Sequence, residues 1–136
     1  LLDPTSSEVH IANAGQPYPF VLRASMRRVD EIEVRGVPLG LLDCSGPRKY
    51  EVCRLKLAPG DVLLIASDGI GAIEDDAGQC FEDRRLRRTL SGLTGIAGEH
   101  VIDSLVAEAV DFSTGQPFPD DINVIAISRE RQLERN

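Results

Sequence analysis

The sequence predicts an α+β fold in which a sheet is covered by helices on one face. Short segments that alternate polar and apolar residues fill the first third of the chain, with glycine and proline between them. A continuous apolar run follows at residues 62–66, and two amphipathic helical patterns then precede a last strand. Strands followed by helices and a final strand are typical of layered α+β domains.

The N-terminal segments predict strands joined by turns. Residues 9–12 alternate as a strand does, residues 13–17 contain the glycine and proline of a turn, and residues 18–23 read as a returning strand. Together they predict a β-hairpin. Residues 31–35 alternate again, which indicates a strand with one face toward water.

The middle of the chain predicts a surface turn and two further strands. The turn covers residues 43–49, and the first strand covers residues 50–57. The tight turn at residues 58–61 leads into the apolar run at residues 62–66. A run without alternation indicates a strand that is buried on both faces.

The C-terminal part predicts two helices and one strand. Residues 82–93 carry leucines at helical spacing on one side, and residues 99–112 carry a second apolar stripe. A loop rich in glycine and proline then leads to a strand at residues 122–128. Such helices bury their apolar faces against a sheet.

Length and charge exclude some classes of function. The 136 residues suit one domain or a large part of one, and the formal net charge of −7 argues against a nucleic-acid-binding surface. An acidic chain suits a site that gathers carboxylates around cations, but on charge alone a plain acidic surface is the more common explanation. Because residue Leu1 is not methionine, we expect this sequence to be part of a longer chain.

The three cysteines predict neither a zinc site nor a disulfide framework. They stand at Cys44, Cys53 and Cys80, without C-x-x-C spacing or a nearby pair of histidines. An odd number of cysteines suits the reducing cytoplasm. No apolar run approaches the ~18 residues of a membrane helix, so we expect no membrane span in this segment.

Two aspartate segments are the strongest candidates for a chemical site. Asp68 follows the buried run directly and precedes Gly69, and Asp120 and Asp121 stand together before the last strand. Asp68 could instead cap its own turn, and the Asp120 pair could be a solvated loop end. If the two segments meet, their oxygen ligands suit Mg²⁺ or Mn²⁺ rather than Zn²⁺.

A cluster of arginines is a weaker candidate. Arg84, Arg85, Arg87 and Arg88 could hold a phosphate or an acidic partner. Such a run is more often the solvated face of a helix, and both interpretations remain open.

Five segments resemble a known family when they are read in order. The sequence has Ala-Asn-Ala-Gly-Gln-Pro-Tyr-Pro, Gly-Val-Pro-Leu-Gly-Leu, a Leu-Ala-Pro-Gly-Asp strand with Ser-Asp-Gly, Phe-Glu-Asp-Arg-Arg-Leu, and Asp-Asp-Ile-Asn-Val. In numbers, these are residues 12–19, 36–41, 57–64 with 67–69, 81–86 and 120–124. They resemble the conserved segments of SpoIIE-type protein phosphatases, a branch of the PPM superfamily.

The resemblance implies a fold and an activity. The fold would be the PPM-type α-β-β-α sandwich of two antiparallel sheets flanked by helices, with residues 1–136 as the C-terminal portion of one domain. The activity would be hydrolysis of phosphoserine or phosphothreonine by a water molecule between two Mn²⁺ or Mg²⁺ ions. The substrate would be a phosphorylated regulatory protein, such as an anti-sigma factor antagonist.

The resemblance also assigns roles to individual residues. Asp68 matches the metal-binding aspartate of the Asp-Gly motif, and Asp120 matches the last metal ligand. Asp121 matches a position that usually binds no metal, and we expect it, Gly69 and Asn13 to lie beside the site.

Two departures from the family pattern qualify this prediction. Gln16 replaces the usual histidine, and the sequence lacks the Gly-Asp-x-x-Gly-His-Gly motif that supplies the bridging aspartate. We therefore expect this chain alone to be inactive. The alternative is a non-catalytic regulatory or binding module with a degenerate phosphatase fold. Strand edges left open in a partial sandwich predict that the chain dimerises or aggregates.

Overall fold

The computed structural model describes residues 1–41, 50–82 and 84–130. The turn predicted at residues 43–49 and Cys44 lie outside these residues. The described parts form two antiparallel sheets and two α-helices, which confirms the predicted α+β class.

The strands form one sheet of four and one sheet of three. The larger sheet has the order β4-β3-β6-β7, and the smaller has the order β1-β2-β5. In chain order, the strands are β1 (Leu2–Asp3), β2 (Glu8–Ile11), β3 (Phe20–Arg23), β4 (Arg28–Glu31), β5 (Cys53–Lys56), β6 (Val62–Ala66) and β7 (Val124–Ser128). Each pair of neighbouring strands is antiparallel.

The predicted hairpin at residues 9–23 is wrong, because its two strands belong to different sheets. Strand β2 pairs with β5, with Val9 opposite Leu55, whereas β3 pairs with β6, with Val21 opposite Leu63. The turn residues between them include Pro17 and Pro19, which have no N–H to donate to a shared ladder. Alternation locates a strand correctly, but it does not select the partner.

Strand β4 lies earlier in the chain than residues 31–35, where a strand was predicted. It ends at Glu31, which is opposite Phe20 of β3. The next amide, from Ile32, donates to the Pro19 carbonyl at 2.8 Å. Since β3 begins at Phe20, no further strand residue is available to extend this pairing.

The larger sheet is the middle layer of the molecule. Alternate residues of β6 face opposite sides, as the pleat requires. Leu64 packs into the core beneath the helices, and Leu63 packs with Val9 of the smaller sheet. The apolar run is therefore buried on both faces, as predicted from the sequence.

Both predicted helices are confirmed, with slightly different ends. Helix α1 covers Arg84–Gly92 and helix α2 covers Gly98–Ser113. Leu90 of α1 and Leu105 of α2 are fully buried against the larger sheet. In the described parts of the chain, neither helix is both long and apolar enough to cross a bilayer.

Candidate functional site

The two aspartate segments lie at the same edge of the larger sheet. Strand β6 ends beside the start of β7, where Ala66 is opposite Val124. Asp68 opens a short 3-10 helix directly after β6, and Asp120 lies in the loop that leads into β7. Antiparallel pairing therefore brings together two segments that are far apart in the sequence.

Ser67 joins these two segments by hydrogen bonds. Its amide donates to the Asn123 carbonyl at 2.9 Å, and its hydroxyl accepts the Asn123 amide at 3.0 Å. The same hydroxyl donates to the Asp121 carbonyl at 3.3 Å. No role for Ser67 was predicted from the sequence, although a hydroxyl residue directly before an Asp-Gly pair was a usable signal.

Gly69 makes the closest approach between the two segments. A Cβ atom on this residue would lie 2.4 Å from the Asp121 carbonyl oxygen and 3.7 Å from the carbonyl carbon of Asp120. No other residue type fits this space without moving the loop. Gly69 and Asp121 are thus in direct backbone contact, which places both beside Asp68.

The carboxylates of the site are open to solvent. Asp68 and Asp120 are both exposed. Among the described residues, the Asp68 carboxylate has no hydrogen-bond or ion-pair partner, and Asp120 Oδ1 accepts the Asp121 amide at 2.7 Å. Mg²⁺ and Mn²⁺ prefer oxygen ligands, and a carboxylate that is not paired with a cationic side chain is available to bind them.

The described residues alone do not form a complete ligand group for a metal ion. Within residues 1–41, 50–82 and 84–130, no three acidic, histidine or cysteine side chains come together as a ligand group. Asp68 and Asp120 fit a hard divalent cation in chemical type. Their joint binding of one metal pair remains a prediction.

The side chain of Asn13 stabilises a turn next to this edge. Its amide group donates to the Gln16 carbonyl at 2.8 Å, and its Oδ1 accepts the Gln16 amide at 2.8 Å. A Cβ on Gly36 would lie 1.7 Å from the Asn13 carbonyl oxygen. The resembling segments at residues 12–19 and 36–41 therefore pack against each other, with Asn13 as a buried support.

A cavity of about 190 Å³ opens beside Asp68. Its wall combines the end of the Asn13 turn, strand β3, helix α1 and the 3-10 helix. The lining residues are Pro17, Tyr18, Phe20, Glu31, Ala66, Ser67, Asp68, Ile70, Gly71, Glu82, Leu86 and Arg87. This cavity was not predicted from the sequence, because its residues come from four separate segments of the chain.

The arginines of α1 do not form one anion site. The Arg85 guanidinium lies 4.6 Å from the centre of the Phe112 ring, whereas Arg87 pairs with Glu31 and lies 5.9 Å from the centre of the Phe20 ring. Two of the four arginines thus cover different aromatic rings. This arrangement favours the interpretation of a solvated helix face.

A buried ion pair outside the residues that line the cavity connects the larger sheet to its turns. Asp61 is 1% exposed, and its carboxylate accepts the Ala24 and Ala58 amides, each at 3.0 Å. Arg23 donates to the same carboxylate at 2.8 Å and to Asp30 at 3.0 Å. The aspartate of the Pro-Gly-Asp segment is therefore structural.

Comparison with solved structures places this fold among phosphatase domains. The SiaA-PP2C domain of Pseudomonas aeruginosa has a TM-score of 0.78 and 19% identity, over 95% of this chain and 49% of that one. The SpoIIE phosphatase domain of Bacillus subtilis has a TM-score of 0.71 and 18% identity, over 98% and 56%. The RsbU and RsbW domains of Rv1364c from Mycobacterium tuberculosis have a TM-score of 0.70 and 26% identity, over 95% and 34%.

These likenesses define the class of fold, which is that of the PP2C-type phosphatase domains. The family profile described as Stage II sporulation protein E (SpoIIE) matches residues 1–130, so the chain belongs to the SpoIIE family. It spans about half the length of the first two solved domains. No curated protein matches the sequence.

Proposed function

We propose that this chain is the C-terminal portion of a metal-dependent protein serine/threonine phosphatase domain. One observation carries the proposal: the ends of β6 and β7 bring Asp68 and Asp120 to one edge, fastened by Ser67 and Gly69. Membership of the SpoIIE family and the PP2C-type fold support it.

Each residue of the edge has a distinct task in this proposal. Asp68 and Asp120 offer carboxylate oxygens to a pair of Mn²⁺ or Mg²⁺ ions, and Ser67 keeps the two segments in register. When bound, such an ion pair activates a water molecule and stabilises the negative charge on a phosphoryl group. Gly69 lets the two backbone segments come into contact, and the proposal requires this contact so that both carboxylates reach one pair of ions.

The proposed substrate is a phosphorylated regulatory protein, such as an anti-sigma factor antagonist. The exposed position of Asp68 and Asp120 suits a phosphorylated side chain presented on a protein surface. The similar structures include the phosphatase domain of a cell fate determinant, which supports a regulatory substrate.

The test uses the complete natural protein and its Mn²⁺-dependent hydrolysis of a phosphoserine protein. Asp68→Asn and Asp120→Asn should each lower kcat/KM about 100-fold or more, because a neutral amide binds a hard cation poorly. Asp103→Asn, an exposed aspartate on α2, is the matched control and should leave hydrolysis unchanged. Full activity in Asp68→Asn would overturn the proposal.

We further propose that these 136 residues alone are inactive, because two carboxylates do not complete a site for two cations. The isolated chain should show no Mn²⁺-dependent release of phosphate from a phosphoserine peptide. Turnover that is lost on Asp68→Asn would contradict this expectation.

A further inference from the structure

We propose that the 190 Å³ cavity beside Asp68 is a specificity pocket for an apolar side chain of the phosphorylated substrate. The inference rests on the proposed function and extends it from the phosphoryl group to the neighbouring residues. It concerns the surface formed by Tyr18, Phe20, Ile70 and Leu86, which we call the Leu86 pocket.

The position of the Leu86 pocket links it to the site. Ser67 and Asp68 form part of its wall, so the pocket and the candidate metal edge share residues. A phosphoserine held by metal ions at the Asp68 carboxylate would place its neighbours in the peptide within reach of this opening. An extended peptide advances about 3.3 Å per residue, so the occupant lies only a few positions from the phosphoserine.

The chemistry of the wall selects an apolar occupant. Aromatic and aliphatic groups from Tyr18, Phe20, Ile70 and Leu86 form much of the surface. The charge of Arg87 is compensated by its ion pair with Glu31, and its guanidinium lies over the Phe20 ring. Among the described residues that line the pocket, the rim therefore offers no free cation to an acidic substrate residue.

The remaining charges of the wall disfavour an acidic occupant further. Three lining residues are acidic, Glu31, Glu82 and Asp68, against one basic residue, Arg87. Glu31 is paired with Arg87, and Asp68 binds cations in the proposed function. Glu82 therefore remains as an exposed negative charge at the pocket. A glutamate in the substrate would meet like charge and lose hydration without gaining a partner.

The size of the pocket matches one side chain. Cavities that enclose whole small-molecule ligands usually measure about 300–1,000 Å³. A volume of about 190 Å³ is smaller and suits a leucine or methionine side chain. The pocket is thus a subsite for one residue of a larger substrate rather than a ligand site of its own.

The first experiment compares substrates with the wild-type complete protein in Mn²⁺. Phosphoserine peptides carry leucine, serine or glutamate at one flanking position at a time. At one position within a few residues of the phosphoserine, leucine should lower KM about tenfold relative to serine, and glutamate should be the poorest. No position with more than about a twofold difference between leucine and serine would overturn the inference.

The second experiment assigns the preference to the Leu86 pocket. Leu86→Asp should abolish the leucine preference and lower kcat/KM for p-nitrophenyl phosphate much less than for the leucine peptide, because p-nitrophenyl phosphate has no flanking residues. Val106→Asp, on an exposed face of α2, is the matched control and should keep the preference. If Leu86→Asp fails to fold, Leu86→Ala should weaken the preference in the same direction.

The outcomes separate this inference from the proposed function. Hydrolysis of p-nitrophenyl phosphate without any peptide preference contradicts the pocket alone. An equal loss toward both substrates in folded Leu86→Asp also contradicts it. Hydrolysis of neither p-nitrophenyl phosphate nor any peptide by the wild-type protein contradicts the proposed function, and the pocket with it.

Discussion

Ser67 connects the two aspartate segments by hydrogen bonds. It makes three hydrogen bonds to the loop before β7, and two of them use its hydroxyl. The hydroxyl affects metal binding without contacting the metal in this proposal, because its hydrogen bonds hold the Asp68 segment against the loop that carries Asp120. Mutation of a residue that orients a metal ligand by hydrogen bonding commonly lowers the metal affinity tenfold or more.

Ser67→Ala should therefore weaken Mn²⁺ binding by the complete protein about tenfold, measured by isothermal titration calorimetry. Without the hydroxyl, the Asn123 amide loses its acceptor and the loop is free to shift. Ser67→Thr keeps the hydroxyl and should restore the affinity. Equal affinity for Mn²⁺ in wild type and Ser67→Ala would show that the hydroxyl does not position the ligands.

Asp30 gives the larger sheet a measurable dependence on pH. Partial burial raises the pKa of this carboxyl group, but hydrogen bonds from Arg23 and Arg28 outweigh the burial, and the pKa lies below its usual value. Because the pKa is lower in the folded state, the ion pairs contribute stability above the unfolded pKa of about 3.9. That contribution is lost as pH falls through the folded pKa.

Asp30→Asn should lower the free energy of unfolding by about 1 kcal/mol at neutral pH. The difference from wild type should shrink as pH falls below about 4 and disappear once the wild-type carboxyl group is protonated. Urea titrations of the complete domain at several pH values measure this difference. A gap that stays constant down to acidic pH would rule out the ion pairs as its cause.

At the scale of elements, sequence patterns predicted the strands and helices better than their partners. The apolar run at β6 and the leucine spacing of α1 each predicted an element and its buried face, because these patterns depend only on residues close together in the sequence. The partner of β2 depended on contacts between distant segments. Alternation alone could not distinguish a hairpin with β3 from pairing with β5.

The candidate site divides in the same way. Asp68 and Asp120 were predicted from short motifs, and their segments do lie together. The Leu86 pocket was not predicted, since its wall joins side chains from β3, β4, the 3-10 helix and α1. Only the packing of α1 on the sheet brings these residues together.

Gly69→Ala tests the contact between the 3-10 helix and the loop before β7. The added methyl group would collide with the Asp121 carbonyl, so the loop must move and metal affinity should fall about tenfold. Gly92→Ala is the matched control, because among the described residues no atom beyond its chain neighbours and the local helix backbone lies within 4 Å of the position of its Cβ. Unchanged Mn²⁺ affinity in Gly69→Ala would contradict the proposed coupling.

At the scale of the whole molecule, apolar side chains remain open on the described surface. Ile125 on β7 is 56% exposed, Val52 is 51% exposed, and Leu39 is 78% exposed. Strand β7 also forms one edge of the larger sheet. An open edge with an exposed apolar residue is a template for association.

The isolated chain should therefore form dimers or larger species, measured by size-exclusion chromatography with light scattering. Ile125→Lys places a charge on the open edge and should shift the chain toward the monomer. A stable monomer of the unmodified chain at micromolar concentration would contradict the prediction that these surfaces associate.

The central claim is that the carboxylates of Asp68 and Asp120 bind one pair of cations. Anomalous scattering at the manganese edge, from crystals of the complete protein grown with Mn²⁺, tests it most directly. Two manganese peaks are expected at this edge of the larger sheet, with an oxygen of each carboxylate at about 2.0–2.3 Å from an ion. Peaks that lie away from this edge, or two carboxylates more than ~12 Å apart with no shared metal pair, would contradict it.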